Sequence, residues 1–278
     1  MDEEQLAGGL ANYGKVSKRG NVVRRPAPPH ASALHTHLKA LADAGFDGAP
    51  RPLKLLDDGY EELTFIAGDV AVPPYPDWSR SDKALASIGR LLRRMHDAAA
   101  KVPIPDADWP TEFADPAGGP ILCHNDVCEE NVVFQDGEAT ALIDFDFAAP
   151  GRPLWDLGCT AFHWVPMIPP KEAAVDGNGK AEAAVEAAVA VAVAQRLRLL
   201  ADAYGLDDDG RRELLDLFPQ IVATEIRFND GRVAAGDPVF IQMEAEMDPH
   251  RWDRILAWHA ENRKSFLAAL QDDASTTQ

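Results

Sequence analysis

The stretch Leu122-Cys-His-Asn-Asp-Val-Cys-Glu-Glu-Asn-Val-Val-Phe134 decides how this chain is read, together with the run after it, Ala141-Leu-Ile-Asp-Phe-Asp-Phe147. Ile121-Leu122 reads as a short strand entering a loop. Asn131 to Phe134 reads as a strand, Asp136-Gly137 as a turn and Ala139 to Ile143 as the return strand, since Asp-Gly between apolar runs signals a hairpin. Asp144 then stands at a strand's end, facing the loop that carries Asp126. Each of these polar residues is ordinary in a loop. The set is specific: H-x-D-x-x-x-x-N, a hairpin, and an apolar strand ending in Asp.

That set matches the needs of phosphoryl transfer, which asks for an aligned nucleophile, metal ions and charge neutralisation rather than covalent help. Asp126 can accept or orient the proton of an acceptor hydroxyl. Asn131 offers a carbonyl oxygen, a hard ligand suited to Mg²⁺. Asp144 supplies a carboxylate able to bridge a metal and the β- and γ-phosphates of a nucleotide. His124 can brace the loop through hydrogen bonds. The expected catalytic residues are therefore Asp126 and His124, and the expected metal ligands Asn131 and Asp144.

Upstream, Gly8-Gly9 and Asn12 mark a turn whose backbone N–H groups could approach phosphate oxygens. Arg19-Gly20-Asn21 is a hairpin-type turn into a strand from Val22, closed by Arg24-Arg25 before Pro26. Leu34, Leu38 and Leu41 recur at helical spacing over 31–44. Lys54-Leu-Leu, the turn Asp57-Asp-Gly and the run Glu61 to Gly68 predict a second hairpin. The proline-rich Val72-Pro-Pro-Tyr-Pro76 breaks the composition. We expect two lobes: a small antiparallel-sheet lobe over 1–68 and a larger, mainly helical lobe over 69–278. In the latter, 81–100 is an amphipathic helix capped by Ser81, in which His96 reads as a packing or capping residue. Residues 148–170 read as loop. Ala181–Tyr204 reads as a buried helix, and 211–229 and 248–270 as further helices.

The charge narrows the partners. With 27 Lys+Arg against 45 Asp+Glu the 278-residue chain carries a formal −18. Nucleic acid and anionic membrane both need a basic surface and are excluded as partners. A cationic small molecule suits the field, with Glu129, Asp146, Glu225 and Asp230 as candidate carboxylates. The 3 cysteines, Cys123, Cys128 and Cys159, are too few for a disulfide framework and fit a reducing cytoplasm. Cys123, His124 and Cys128 lack the paired spacing of a zinc site. The acidic start, Met-Asp-Glu-Glu-Gln, has no apolar run behind it and does not read as a signal peptide. The apolar stretch Ala187–Ala194 is too short to span a bilayer.

The same residues carry a family resemblance. His124-Asn-Asp126 resembles the H-[GN]-D, and Ile143-Asp-Phe-Asp146 the I-D-[FW]-[DE], of the aminoglycoside phosphotransferase and choline kinase family, which has a protein-kinase-like fold. Trp155-Asp156-Leu157 is similar to the segment whose Asp supports the catalytic loop. The resemblance implies an α+β, two-lobed kinase-like fold and transfer of the γ-phosphate of ATP or GTP, with Mg²⁺, to a hydroxyl of a small molecule such as an aminoglycoside or another cationic amino-alcohol. It makes Asp126 the base and Asn131 and Asp144 the magnesium ligands. It makes Gly8 to Asn12 the nucleotide-covering turn, Arg24 the phosphate-binding cation, and Phe65 to Ala67 the linker that meets the base, with Gly68 beginning the hinge. A one-residue shift of strand register puts Arg25 in place of Arg24. The family's cation pairs with a helix Glu, and the helix at 31–44 has none; His35 or His37 occupies that region. That gap supports an alternative: a catalytically silent nucleotide- or metabolite-binding protein on the same fold.

Overall fold

The structure, a computed structural model, describes residues 4–6, 14–169 and 179–271. By its contacts the chain divides into two compact units, Met1–Asp156 and Leu157–Gln278.

The first unit opens with β1 (Glu4–Leu6), β2 (Val16–Arg19), β3 (Val22–Pro26), α1 (Ala31–Asp43), β4 (Pro52–Leu55) and β5 (Tyr60–Thr64). The strands form one antiparallel sheet in the order β1-β2-β3-β5-β4. Strands β2 and β3 turn over Gly20-Asn21. Gly20 lies at φ +62, the positive value that the first position of a type II′ turn requires. In the β3–β5 pair Arg24 stands opposite Glu62 and Arg25 opposite Glu61. The run expected as strand up to Gly68 leaves the sheet at Thr64. Gly68 then passes so close to β8 (Val132–Gln135) that a Cβ on it would lie 2.5 Å from the Phe134 carbonyl oxygen. Beyond it β6 (Asp69–Val70) pairs at once with β8. The lobe boundary expected at Gly68 thus falls inside the first unit.

Helix α2 (Asp82–Ala99) starts where expected: the Ser81 hydroxyl accepts from the Ala84 N–H at 3.1 Å. Leu85, Ile88, Leu91, Leu92 and Met95 are fully buried, while Arg90, Arg93 and Arg94 are exposed. Strand β7 (Ile121–Cys123) leads into the loop that carries Asp126. Strand β8 follows and pairs with β9 (Glu138–Leu142). Their connection has Asp136 at φ +52 and Gly137 at φ +74, the two positive values of a type I′ turn. Strand β10 (Ala149–Gly151) returns to pair with β7, with Ala149 opposite Cys123. The segment after β9 is therefore brought alongside the loop after β7.

The division between the units falls within α3 (Pro153–Trp164), which replaces the loop expected over 148–170. Proline is tolerated at the first helical position. Every residue from Trp155 to Ala161 is buried, so the segment shows no alternation of apolar and polar faces to betray a helix. The second unit continues with α4 (Gly179–Tyr204), α5 (Asp208–Ala234), α6 (Pro238–Glu246) and α7 (Arg251–Gln271). Helix α7 packs on α4 and α5, and α6 on α5. Helix α4 is not the buried helix expected. Ala190, Val193, Ala194, Leu197, Leu200, Ala201 and Tyr204 form one buried stripe, whereas Val185 and Val191 are exposed. An Ala/Val sequence hides this because both faces have the same hydropathy. No helix among the described residues is long and apolar enough to cross a membrane.

Burial pushes His37 of α1 and His259 of α7 down to about 4 from an ordinary 6.5. Both are neutral when folded and take up protons when the chain unfolds. Their contribution is complete above about pH 6.5 and is lost as pH falls toward 4, each by at most about 1.4 kcal/mol per pH unit. The urea midpoint is expected to drop between pH 7.5 and pH 5, and to drop less in a His259→Leu variant measured in parallel.

Candidate active site

The loop after β7 is anchored by one carboxylate. Asp156, fully buried, accepts from the His124 N–H at 2.8 Å and from the Asn125 N–H at 2.8 Å, and pairs with His96 Nε2 at 3.0 Å. Burial works to raise the Asp156 carboxyl; the His96 hydrogen bond and the His124 N–H outweigh it and hold the carboxyl below its usual range. The anchored turn takes Asn125 to φ +65, a left-handed conformation that asparagine tolerates, and Asn125 Nδ2 donates to the Phe147 carbonyl at 3.1 Å. His96 joins the site through Asp156.

Both ring nitrogens of His124 have partners. The Asp126 N–H donates to its Nδ1 at 3.3 Å, so the ring hydrogen lies on Nε2 and is given to the Ile143 carbonyl at 3.0 Å. Burial keeps the ring's pKa below its ordinary value and the ring neutral. One side chain thereby ties the loop carrying Asp126 to the residue before Asp144. A second tie is the Ile143 N–H to the Asn131 carbonyl at 2.9 Å.

Asp126 itself is half-buried. Its Oδ2 and its carbonyl oxygen each accept from Asn131 Nδ2 at 2.9 Å. Burial first, then the charge of Asp144, push the Asp126 carboxyl up to about 7. Because the Asn131 amide nitrogen is committed to Asp126, its oxygen is the atom left for a ligand. Asn131 and Asp144 line the same cavity of about 350 Å³, with Arg25, Phe65, Ile66 and Val133 among its walls. Asp144 sits at φ +63, and such strain in a non-glycine residue gathers at functional sites.

The cation at this cavity is Arg25, not Arg24. Alternation along β3 turns Arg24 to the outer face, where it donates to Asp58 at 2.5 Å and lies 3.9 Å over the Tyr60 ring, with its side chain 38% exposed. Arg25 is buried on the inner face. Its Nε donates to Glu61 at 2.7 Å, Nη1 to Asp144 at 2.7 Å and Nη2 to Asp146 at 2.5 Å. Burial alone would lower this guanidinium, but the three carboxylates more than offset it and raise it above its ordinary value. Asp146 is pushed up by burial and the Asp144 charge.

Three carboxylates on one guanidinium leave an excess of negative charge, and Asn131 adds a carbonyl oxygen to the cavity that Asp144 lines. Hard oxygen donors around uncompensated negative charge fit a divalent cation such as Mg²⁺. The apolar walls fit the base of a nucleotide.

The other expected positions divide. Phe65 lines the cavity, but Ala67 does not: its carbonyl accepts from Gln135 Nε2 at 2.8 Å. Gly8, Gly9 and Asn12 lie outside the described residues. Of the candidate acidic residues, Asp146 faces Arg25, Glu129 is half-buried beside Glu130, and Glu225 and Asp230 lie on α5 in the second unit. Sequence reasoning missed Glu61. Its signal was the alternation Glu61-Glu62-Leu63, which puts Glu61 and Leu63 on the inner face opposite Arg25 and Val23.

Comparison with known proteins shows the family and the fold. The APH model, phosphotransferase enzyme family, matches residues 105–190, which span the loop, Asn131 and Asp144. The trifolitoxin immunity protein of Rhizobium leguminosarum bv. trifolii is 32% identical over 220 residues, 77% of this chain and 78% of that protein. The chain belongs to the phosphotransferase enzyme family. Solved structures place this member of the family on the expected fold. A choline/ethanolamine kinase family protein from Mesorhizobium loti aligns with 98% of this chain and 92% of its own at TM-score 0.60 and 19% identity. Spectinomycin phosphotransferase, solved with ADP and spectinomycin, aligns with 94% of this chain and 93% of its own at TM-score 0.56 and 12% identity. At these identities the likeness is of fold: α+β, with an antiparallel sheet in the N-terminal region and a helical C-terminal part.

Proposed function

We propose that the chain is a Mg²⁺-dependent small-molecule kinase that moves the γ-phosphate of ATP or GTP to a hydroxyl of its acceptor. One observation carries this reading. Asn131 fixes Asp126 through its amide nitrogen while lining, with Asp144, a cavity walled by apolar side chains and Arg25. Asp126 is the residue that receives or orients the hydroxyl proton, and its raised carboxyl suits that task near neutral pH. Asn131 and Asp144 would hold the magnesium ion, which when bound neutralises charge on the phosphates. Arg25 offers a planar fork of donors to phosphate oxygens. The formal charge of −18 favours a cationic acceptor, and three cysteines without a disulfide favour the cytoplasm. The decisive experiment is transfer of labelled γ-phosphate from Mg-ATP or Mg-GTP across amino sugars, cationic peptides, amino-alcohols and sugars. Failure to bind either nucleotide in calorimetry would overturn the reading.

A second reading concerns what the acceptor means to the host. The relative at 32% identity is an immunity protein, and one structural relative acts on spectinomycin. Both support a toxic compound as acceptor, and resistance as the physiological outcome. Expression in a sensitive strain, with and without Asp126→Ala, tests this. Protection lost with Asp126 means inactivation by transfer. Protection retained means sequestration, the silent binding role.

A further inference from the structure

The three contacts of the Arg25 guanidinium are not equivalent. Asp144 and Asp146, which take Nη1 and Nη2, have side chains 25% and 24% exposed. Glu61, which takes Nε, is 1% exposed. Glu61 lies directly opposite Arg25 in the β3–β5 register, so the pair is made across neighbouring strands on the inner face. Its second oxygen, Oε2, is 2.6 Å from Nε2 of His35, a buried residue of α1. Helix α1 contains no Glu, and His35 links it by a hydrogen bond to the glutamate that holds the cation.

Such an arrangement is a poor device for stability. A buried guanidinium with a buried carboxylate seldom outperforms apolar packing of the same volume. The buried Nε end is fixed, while the two Nη groups face partly exposed carboxylates at the cavity.

We propose that Glu61 and His35 are positioning residues for the Arg25 guanidinium. Glu61 clamps Nε and the Arg25 stem, and His35 ties that clamp to α1. The two Nη groups are then the ends that pass from Asp144 and Asp146 to the phosphates of a bound nucleotide. This rests on the nucleotide reading of the cavity. It assigns the coupling between helix and cation to a strand glutamate with a histidine between.

Binding of Mg²⁺ with a non-hydrolysable ATP analogue is measured by calorimetry for wild type, Arg25→Met, Glu61→Gln, the double variant, His35→Leu and His35→Gln, beside kcat and KM. Glu61→Gln is expected to weaken nucleotide binding about 10- to 100-fold, as loss of a supporting partner does elsewhere. His35→Leu is expected to weaken it by a smaller factor, and His35→Gln, which keeps an N–H donor, to restore most of it. Acceptor KM stays unchanged. In the Arg25→Met background Glu61→Gln adds nothing, which a merely structural role would not produce. If Glu61→Gln does not fold, the two His35 variants decide the matter. Wild-type affinity in both Glu61→Gln and His35→Leu, or an undiminished Glu61 effect without Arg25, overturns the proposal. No binding by wild type overturns the nucleotide reading itself, a distinct result.

Discussion

Replacing Asp126 with alanine is expected to lower kcat for phosphoryl transfer by about 10²- to 10⁴-fold, the range for losing a positioned acid–base group. The nucleotide's affinity should change little, because Asp126 is not among the residues that wall the cavity. His124 Nδ1 and Asn131 Nδ2 hold the Asp126 backbone and carboxylate from two sides, so the side chain does not need to reorganise to meet a hydroxyl. An Asp126→Asn variant keeps the shape and removes the basic oxygen, and should be as inactive as Asp126→Ala. A kcat within tenfold of wild type in Asp126→Asn would mean that the residue only orients the acceptor. Unchanged kcat in both variants would remove Asp126 from the chemistry altogether.

How much of this was legible in the sequence follows from the range of the interactions. The Asp136-Gly137 turn and the strands around it were legible because a type I′ turn is local: two residues at positive φ select their own side chains. The loop residues Asp126 and Asn131 were legible because their contact spans five residues. The identity of the cation was not. Arg24 and Arg25 are adjacent, and only the pairing of β3 with β5 shows which one faces inward. The partner of that cation was hidden for the same reason. Glu61 is 36 residues from Arg25, and Glu61-Glu62 offers two acids for two faces. The helix at 153–164 was hidden because it is buried over two turns, so its pattern carries no face. In each case the missing information is which surface a residue meets.

Asp156 is the residue whose loss should cost the most stability. Asp156→Ala leaves two backbone N–H groups and the His96 ring without their acceptor in a fully buried place. Each orphaned donor costs about 1–3 kcal/mol. A total of about 3–5 kcal/mol matches the loss of one partner from a buried pair. Because the folded carboxyl lies below its ordinary value, its contribution is complete above about pH 4 and disappears only as pH falls through the folded value. Chemical unfolding at pH 7 therefore reads the whole effect. Asp156→Asn keeps one acceptor oxygen and should lose roughly half as much. The loss must also reach the chemistry. The two amides that Asp156 holds belong to His124 and Asn125, and Asn125 needs that hold to keep φ +65 and deliver the next residue, Asp126. A folded Asp156→Asn protein is thus expected to show reduced kcat with nearly unchanged nucleotide affinity. If it unfolds like wild type, the carboxylate is not the anchor of the loop. If it is destabilised but fully active, the loop keeps its shape without that anchor, and the link from Asp156 to Asp126 is wrong.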